Sequence, residues 1–120
     1  MGNKVIVGVQ GTSGFDDYKV FLRAMAVAMS ALPSEDPYFY IYSAGPSRIN
    51  AMVSEFSNLS ERGLKARGKK IKFYNVPPSW IEENIESLNH FAFLSNPKEP
   101  VSNLVATAQL KNIDVGIYRH

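Results

Sequence analysis

KVIVGVQ at residues 4–10, followed by GTSG at residues 11–14, decides the fold class of this 120-residue chain. The first segment is a near-continuous run of β-branched residues, which is typical of a strand buried on both faces of a parallel sheet. After the turn, apolar residues recur every third or fourth position, which predicts a helix from Phe15 to about Leu32 that Pro33 ends. Strand, turn and amphipathic helix together form the first unit of an α/β fold.

The same alternation continues along the rest of the chain. A second helix has Ile49 at the start of its apolar face and is expected to end near Gly63 or Gly68, since either glycine would serve as a C-cap. Ser79 is expected to cap a short third helix, with Glu82 completing a capping box. The further predicted strands are residues 38–42, 70–76, 91–94 and 115–118, and the last predicted helix is residues 103–111.

Short connections between these segments predict one Rossmann-like α/β domain over residues 1–120. We expect a three-layer sandwich, with a mainly parallel five-stranded sheet and helices on both faces. In such sheets, ligands bind at the carboxyl ends of the strands, where the strand order switches. This rule nominates three loops as the predicted ligand-binding surface: residues 10–15, 43–48 and 95–103.

The composition excludes several classes of protein. The chain has no cysteine, which excludes a disulfide scaffold, a cysteine nucleophile and a thiolate metal site. The apolar run at residues 5–9 is too short for a signal peptide or for a membrane helix of about 20 apolar residues, so we expect a soluble, cytoplasmic protein with no membrane partner. The net charge of +2 is too small to imply a polyanionic partner.

Basic residues are nevertheless concentrated between Arg62 and Lys72. Such a run is usually a solvated helix end that leads into an edge strand, and nucleic-acid contact is the alternative. The residues predicted for that contact are Lys65, Arg67, Lys69 and Lys70. The tyrosines are expected to be mostly structural, although one of them could stack on a base: Tyr18, Tyr38, Tyr40, Tyr42 and Tyr74.

The first nominated loop joins a buried strand to a helix N-terminus. Its two glycines let backbone N–H groups approach an anion closely, and the helix dipole adds roughly half a positive charge. The loop is neither a Walker A turn nor a dinucleotide fingerprint, because its spacing differs and Asp16 and Asp17 would repel a phosphate. Two interpretations stay open: a phosphate-binding turn, or a tight turn in which Asp16 and Asp17 favour the start of the helix.

The second and third loops offer more polar groups. Arg48 stands beside a glycine and two hydroxyls and is suited to a bidentate contact with phosphate or carboxylate. Alternatively, Ser47 is an N-cap and Arg48 is a solvated first-turn residue. The third loop offers Lys98 and two side-chain amides, with Ser102 or Asn103 capping the last helix as the alternative. The predicted ligand-binding residues are Gly11, Thr12, Ser13, Gly14, Ser43, Gly45, Ser47, Arg48, Lys98, Ser102 and Asn103.

Catalytic patterns are sparse. His90 begins a predicted strand and His120 is the last residue. The sequence has no Gly-x-Ser-x-Gly elbow and no pair of metal ligands at helical spacing. Carboxylates on a short helix, Glu82, Glu83 and Glu86, are more typical of a solvated face than of acid–base catalysis. The sequence therefore names no catalytic residue and no metal ligand, and it favours binding over catalysis.

The order of segments resembles the SLOG superfamily, the Rossmann-like group that includes the Smf/DprA and "lonely guy" (LOG) proteins, and above all its small single-domain members of bacteria and phages. The resemblance lies in residues 5–14, in the glycine turn at 43–48, in the Pro-x-x-Trp of residues 77–80 and in the segments from 91 to 118. It implies a nucleotide-binding fold. Residues 96–100 stand where the phosphoribohydrolase branch has a Pro-Gly-Gly-x-Gly-Thr turn, so the resemblance argues against carrying over hydrolase activity.

Three functional hypotheses stay open. The first is non-catalytic binding of a nucleotide or nucleotide-derived ligand at the carboxyl ends of the parallel strands; the sequence names no cofactor beyond this nucleotide. The second is a small phage-type interaction protein that docks on a host protein or nucleic acid, which the basic run and the glycine-poor turns support. The third is an enzyme that cleaves an N-glycosidic or phosphoester bond of a nucleotide, for which an acid–base pair is missing. A homodimer is compatible with each.

Overall fold

Strands and helices alternate along the whole described chain. The structure is a computed structural model that describes residues 4–30, 38–96 and 98–119. The strands are β1 (Lys4–Gly11), β2 (Tyr38–Ser43), β3 (Lys70–Asn75), β4 (His90–Ser95) and β5 (Asp114–Arg119). The helices are α1 (Tyr18–Ser30), α2 (Ser47–Ala66), α3 (Pro78–Glu83) and α4 (Asn103–Leu110), and a single 3₁₀ turn at Ile85–Ser87 follows α3. The predicted end of the first helix at Leu32 and Pro33 lies outside the described residues.

The five strands form one sheet in the order β3-β2-β1-β4-β5, and every neighbouring pair is parallel. Val7 in the central strand pairs with Ile41 of β2 on one side and with His90 of β4 on the other. The chain proceeds outward from β1 to β3 and then crosses back to β4. The strand order therefore switches between β1 and β4, and the loops that follow these two strands lie beside each other at their carboxyl ends.

Right-handed crossovers place α1 and α2 on one face of the sheet and α3 and α4 on the other. On the first face, buried side chains such as Phe21 and Val53 pack with Ile41 in one hydrophobic cluster. On the second face, Ile81 and Val105 pack around the rings of β4 in another cluster. The predicted Rossmann-like sandwich is thereby confirmed.

The second face is covered unevenly. Helices α3 and α4 cluster with β4 and β5, so the part of this face that belongs to β2 and β3 lies to one side of them. Residues of β2 alternate between half-buried and buried, and the half-buried ones point away from α2. We call this part the open sheet face; its residues are Tyr38, Tyr40, Tyr42, Lys70, Lys72 and Tyr74.

The starts of three helices differ in how they are capped. Pro77 is the N-cap of α3 and no described side chain caps that helix, so the predicted capping box of Ser79 and Glu82 is wrong. Pro78 takes the first position because proline has no N–H to leave unpaired there. Ser47 likewise is the first residue of α2 and not its cap. The Oγ of Ser102 does cap α4, accepting the N–H of Leu104 at 3.2 Å.

Helix α2 ends in a Schellman motif. The N–H of Gly68 donates to the carbonyl of Lys65 at 3.0 Å, and that of Lys69 to the carbonyl of Leu64 at 2.8 Å. Gly68 has φ +74°, the left-handed conformation that this motif requires. Gly63 stands inside the helix, so Gly68 and not Gly63 ends it.

These two glycines should respond oppositely to alanine. No described atom lies within 4 Å of a Cβ built on Gly63, so Gly63→Ala should raise the free energy of unfolding by about 0.5–1 kcal/mol. Gly68→Ala should lower it by about 1–2 kcal/mol, because a Cβ opposes the left-handed conformation. Urea denaturation of both variants beside the wild type measures the difference, and changes of the same sign would contradict this account of the helix end.

Candidate functional site

The loops after β1 and β4 are joined to each other at the switch point. The N–H of Thr12 donates to the carbonyl of Leu94 at 2.9 Å, and the Oγ1 of Thr12 accepts the N–H of Asn96 at 3.0 Å. The side-chain amide of Asn96 donates to the carbonyl of Gly14 at 3.3 Å. The first and third nominated loops therefore form one structure, which spans the place where the fold predicts a ligand.

The turn that the sequence predicts to bind phosphate holds the carboxylate of Glu99. The N–H of Gly14 donates to Oε1 at 2.7 Å, and the hydroxyl of Ser13 donates to Oε2 at 3.0 Å. Desolvation acts to raise the pKa of Glu99, but hydrogen bonds from Ser13, Thr12 and Gly14 outweigh it and lower the pKa. This turn thus holds an oxyanion, as its chemistry predicts, and the oxyanion belongs to the same chain.

Two glycines of this end approach other groups too closely for a side chain. A Cβ on Gly14 would collide with the carboxylate of Glu99. A Cβ on Gly11 would lie 2.8 Å from the carbonyl oxygen of Leu94 and from the side chain of Ile49. Glycine at these positions therefore serves the approach of the turn to neighbouring residues.

The second loop is also engaged within the protein. The guanidinium of Arg48 pairs with the carboxylate of Asp16 at 2.5 Å, with both side chains more than half exposed. The buried hydroxyl of Ser43 donates to the side-chain oxygen of Asn50 at 2.5 Å, and the carbonyl of Gly45 accepts the N–H of Gly11 at 3.1 Å. Because an exposed ion pair contributes only about 0–1 kcal/mol, a phosphate that approached Arg48 would meet little resistance from this pair.

Helix α1 begins at Tyr18 and not at the predicted Phe15, because Phe15 is buried in the turn before the helix. The side chain of Asp17 accepts the N–H of Val20 at 3.0 Å, as a helix-capping residue does. In the third loop, Lys98 is exposed and its backbone N–H donates to the side chain of Asn96 at 2.9 Å. Ser47 is exposed at the start of α2. Of the predicted ligand-binding residues, only Ser102 and Asn103 line a cavity described below.

A cavity of about 330 Å³ lies at the same end of the sheet, between α3 and α4. Gln10, near the end of β1, lines it, and its side-chain oxygen is buried with no hydrogen-bond partner among the described residues. The whole lining is Gln10, Pro78, Ser79, Glu82, Ser102, Asn103, Leu104 and Thr107. Gln10 lies in the first nominated loop but is not among the predicted ligand-binding residues, although an uncharged polar side chain at the end of an apolar strand was a usable signal.

The chemistry of this cavity suits a neutral group that carries hydrogen-bond donors. Glu82 supplies a carboxylate, while Gln10 and Asn103 supply amides and Ser79 a hydroxyl. None of the described residues that line the cavity is Lys, Arg or His. Among the described residues, no group of three or more His, Asp or Glu is arranged to hold a metal ion.

His90 lies far from this site. It is the first residue of β4, so it stands at the amino end of the sheet, opposite to the cavity. The side chain is only 2% exposed, and its Nδ1 lies 2.8 Å from the carboxylate of Asp114. Its Nε2 has no hydrogen-bond partner in the described part of the chain. His120 lies outside the described residues.

The basic run connects the end of α2 to the edge strand β3. Lys65 lies in the last turn of the helix and Arg67 is its C-cap, while Lys70 begins the strand. Lys65, Lys69, Lys70 and Lys72 line a cavity of about 260 Å³ together with Glu61 and Ile71. This arrangement is the expected solvated helix end leading into an edge strand, and nucleic-acid contact by these residues stays a prediction.

Comparison of the chain with protein-family models, with curated proteins and with solved structures finds no match. The resemblance to the SLOG superfamily therefore stays a prediction from the sequence. In the described ranges, no helix is both long and apolar enough to cross a membrane.

The hydrogen bonds on Glu99 predict a dependence of stability on acid pH. The folded state lowers the pKa of this carboxyl below its ordinary 4.5, so the ionised form stabilises the fold above that pH. As the pH falls through the lowered folded-state pKa, this stabilisation is lost. Glu99→Gln should therefore melt below the wild type at pH 7, and the two melting temperatures should converge in acid.

Thermal melts between pH 7 and pH 3 check this expectation. Glu83→Gln, at an exposed carboxylate on α3, is the matched control and should follow the wild type throughout. A difference between Glu99→Gln and wild type that stays constant down to pH 3 would contradict a role for the ionised carboxylate.

Proposed function

We propose that this protein binds a nucleotide or nucleotide-derived ligand at the carboxyl ends of its parallel strands, without chemically altering it. The observation that carries the proposal is the cavity between α3 and α4 with the buried oxygen of Gln10, which has no hydrogen-bond partner among the described residues. A buried acceptor without a donor costs about 1–3 kcal/mol. A ligand N–H or O–H at this point would remove that cost.

The nucleoside part of such a ligand fits the cavity. Its volume of about 330 Å³ is at the small end of the range for ligand sites, which suits one nucleoside better than a dinucleotide. The amides of Gln10 and Asn103 carry both donors and acceptors, as the edge of a base requires. The carboxylate of Glu82 accepts hydrogen bonds only, which suits the hydroxyls of a ribose.

The phosphate groups of a nucleotide would find fewer available partners at this end of the sheet than its nucleoside would. The oxyanion donors at this end of the sheet, Ser13 and Gly14, are engaged by Glu99, and Arg48 does not line the cavity. A phosphate at this turn would have to displace the carboxylate of Glu99, and the two negative charges would repel each other as the phosphate approached. We therefore expect affinity to come from the nucleoside and to change little from nucleoside to monophosphate to diphosphate.

Turnover of the ligand has little support. Glu82 is the one ionisable group among the described residues that line the cavity, whereas hydrolysis of a glycosidic bond commonly uses an acid and a base together. Glu99 is held by hydrogen bonds in the turn, and His90 is buried at the opposite end of the sheet. The proposal is accordingly for binding alone.

A thermal-shift panel tests the proposal. Nucleosides, their mono- and diphosphates, NAD, ADP-ribose and cyclic dinucleotides would each be added to the wild type. A ligand at 100 times its Kd adds about 2.7 kcal/mol to the free energy of unfolding, a shift of several degrees for a domain of this size. A panel without any shift would contradict the proposal.

Variants then locate the site by calorimetric titration with the ligand that gives the largest shift. Glu82→Gln should weaken binding roughly 10- to 100-fold, because it removes a hydrogen bond to a charged group. Glu83→Gln on the same helix is the control and should bind as the wild type does. If Arg48→Ala abolishes binding while Glu82→Gln leaves it unchanged, the ligand occupies the second loop and the cavity assignment is wrong.

A further inference from the structure

The open sheet face carries an ordered array of aromatic rings. Tyr38 and Tyr40 have nearly parallel ring planes with centroids 6.2 Å apart, and Tyr74 continues the array at 6.4 Å from Tyr40. Tyr42 lies 5.1 Å from Tyr74, and at the end of the array Trp80 of α3 stacks on Tyr42 at 4.1 Å. Successive planes differ by 16–20°.

Solvent reaches this array. Tyr74 is 41% exposed, and Tyr38, Tyr40 and Tyr42 are half-buried, whereas the alternate residues of β2 are buried under α2. The register explains why the rings collect: parallel pairing places Tyr42 beside Tyr74, so side chains from two strands share one face. A contiguous aromatic surface that solvent reaches is a candidate interaction site.

Positive charge is interleaved with the rings. Lys70 pairs with Tyr38 across the sheet and places its ammonium 5.7 Å from the centre of that ring, and Lys72 pairs with Tyr40. Both lysines are exposed. None of the six residues of the open sheet face is acidic. Burial, and then the neighbouring Tyr74 and Tyr40, raise the pKa of Tyr42, so this phenol is uncharged at neutral pH.

We propose that single-stranded nucleic acid binds across the open sheet face, with bases stacked on the tyrosine rings and backbone phosphates on Lys70 and Lys72. Aromatic side chains interleaved with basic ones on a sheet are the chemistry that holds unpaired bases, since every base has a ring face and every nucleotide a negative charge. A duplex would not serve, because its base faces are already stacked on each other. RNA and DNA share this chemistry.

The charge also argues against a second copy of this chain as the occupant. Two open sheet faces packed on each other by two-fold symmetry would bring Lys70 and Lys72 of both copies together with no carboxylate of either face between them. A polyanion neutralises these lysines, whereas a second copy doubles their repulsion.

This site is separate from the cavity between α3 and α4, and its tests do not depend on ligand binding there. Lysines on an edge strand also prevent strands of different molecules from pairing. The ring variants therefore decide between the proposal and that simpler role of the lysines.

Fluorescence provides two direct measurements. Anisotropy of labelled oligothymidylate and oligouridylate of roughly 10 nucleotides gives the affinity, and a duplex of the same length is the comparison. Trp80 is the only tryptophan of the chain and stacks on the ring array, so its emission should be quenched by bound bases. We expect both single strands to bind at low salt with quenching and the duplex to bind at least roughly tenfold more weakly. A preference for one single strand identifies the natural source.

Variants test the two parts of the surface separately. Tyr74→Ala should weaken binding roughly 5- to 100-fold, while Tyr74→Phe keeps the ring and should bind as the wild type does. Replacing Lys70 and Lys72 by Gln should reduce the slope of log affinity against log salt by about 1.4. Replacing Lys19 and Arg23 by Gln on α1, at exposed positions, makes the same change in net charge and should leave that slope nearly unaltered.

Several results would overturn the proposal. They are an absence of binding at low salt, duplex binding as tight as single-strand binding, and an equal reduction of the salt slope by the Lys70 and Lys72 replacement and by the Lys19 and Arg23 replacement. An affinity that Tyr74→Ala leaves unchanged would also overturn the proposal. Near-ultraviolet circular dichroism would confirm that this variant is folded. A dimer that sedimentation detects in the wild type and that Tyr74→Ala dissociates would assign the face to a second copy instead.

Discussion

Parallel pairing of the central strand β1 with β2 and β4 is the constraint on which the rest of this structure depends. Val7 and Val9 are fully buried within the sheet, so every connection must pass over one of its faces. Burial of these side chains also brings the ends of β1 and β4 together, and hence the two loops that Thr12 and Asn96 join. The positions of the cavity and of the oxyanion-holding turn both follow from this one arrangement.

Local sequence patterns were sufficient to predict the fold. Contacts between residues distant in sequence could not be predicted from such patterns. The β-branched run at residues 4–10 and the helical spacing after it follow from the burial of single elements, and both predicted the right type of element, although α1 begins three residues after the predicted Phe15. The predicted capping box of Ser79 and Glu82 is wrong, because Pro77 and Pro78 already satisfy the start of that helix. A serine followed by glutamate three residues later carries the same pattern whether or not a proline makes the cap unnecessary.

The candidate site was predictable in position but not in detail. The rule that ligands bind where the strand order switches points to the end of the sheet at which the cavity lies. Glu99 meets Gly14 across 85 residues of sequence, and no local pattern encodes such a meeting. The open sheet face likewise depends on where α3 and α4 lie over the sheet. The tyrosines of β2 have the sequence of a strand covered on both faces, and only the placement of the helices leaves one face partly open to solvent.

The carboxylate of Glu99 in the turn at Ser13 and Gly14 has a consequence for how the stability of the fold depends on free anions. An empty anion site leaves oriented N–H and O–H donors without partners, so a protein built around such a site gains stability as its ligand accumulates. Here the chain carries its own counter-anion, tethered to the same domain and present whenever the domain is. The donors of this turn are therefore satisfied whether or not a free anion is present.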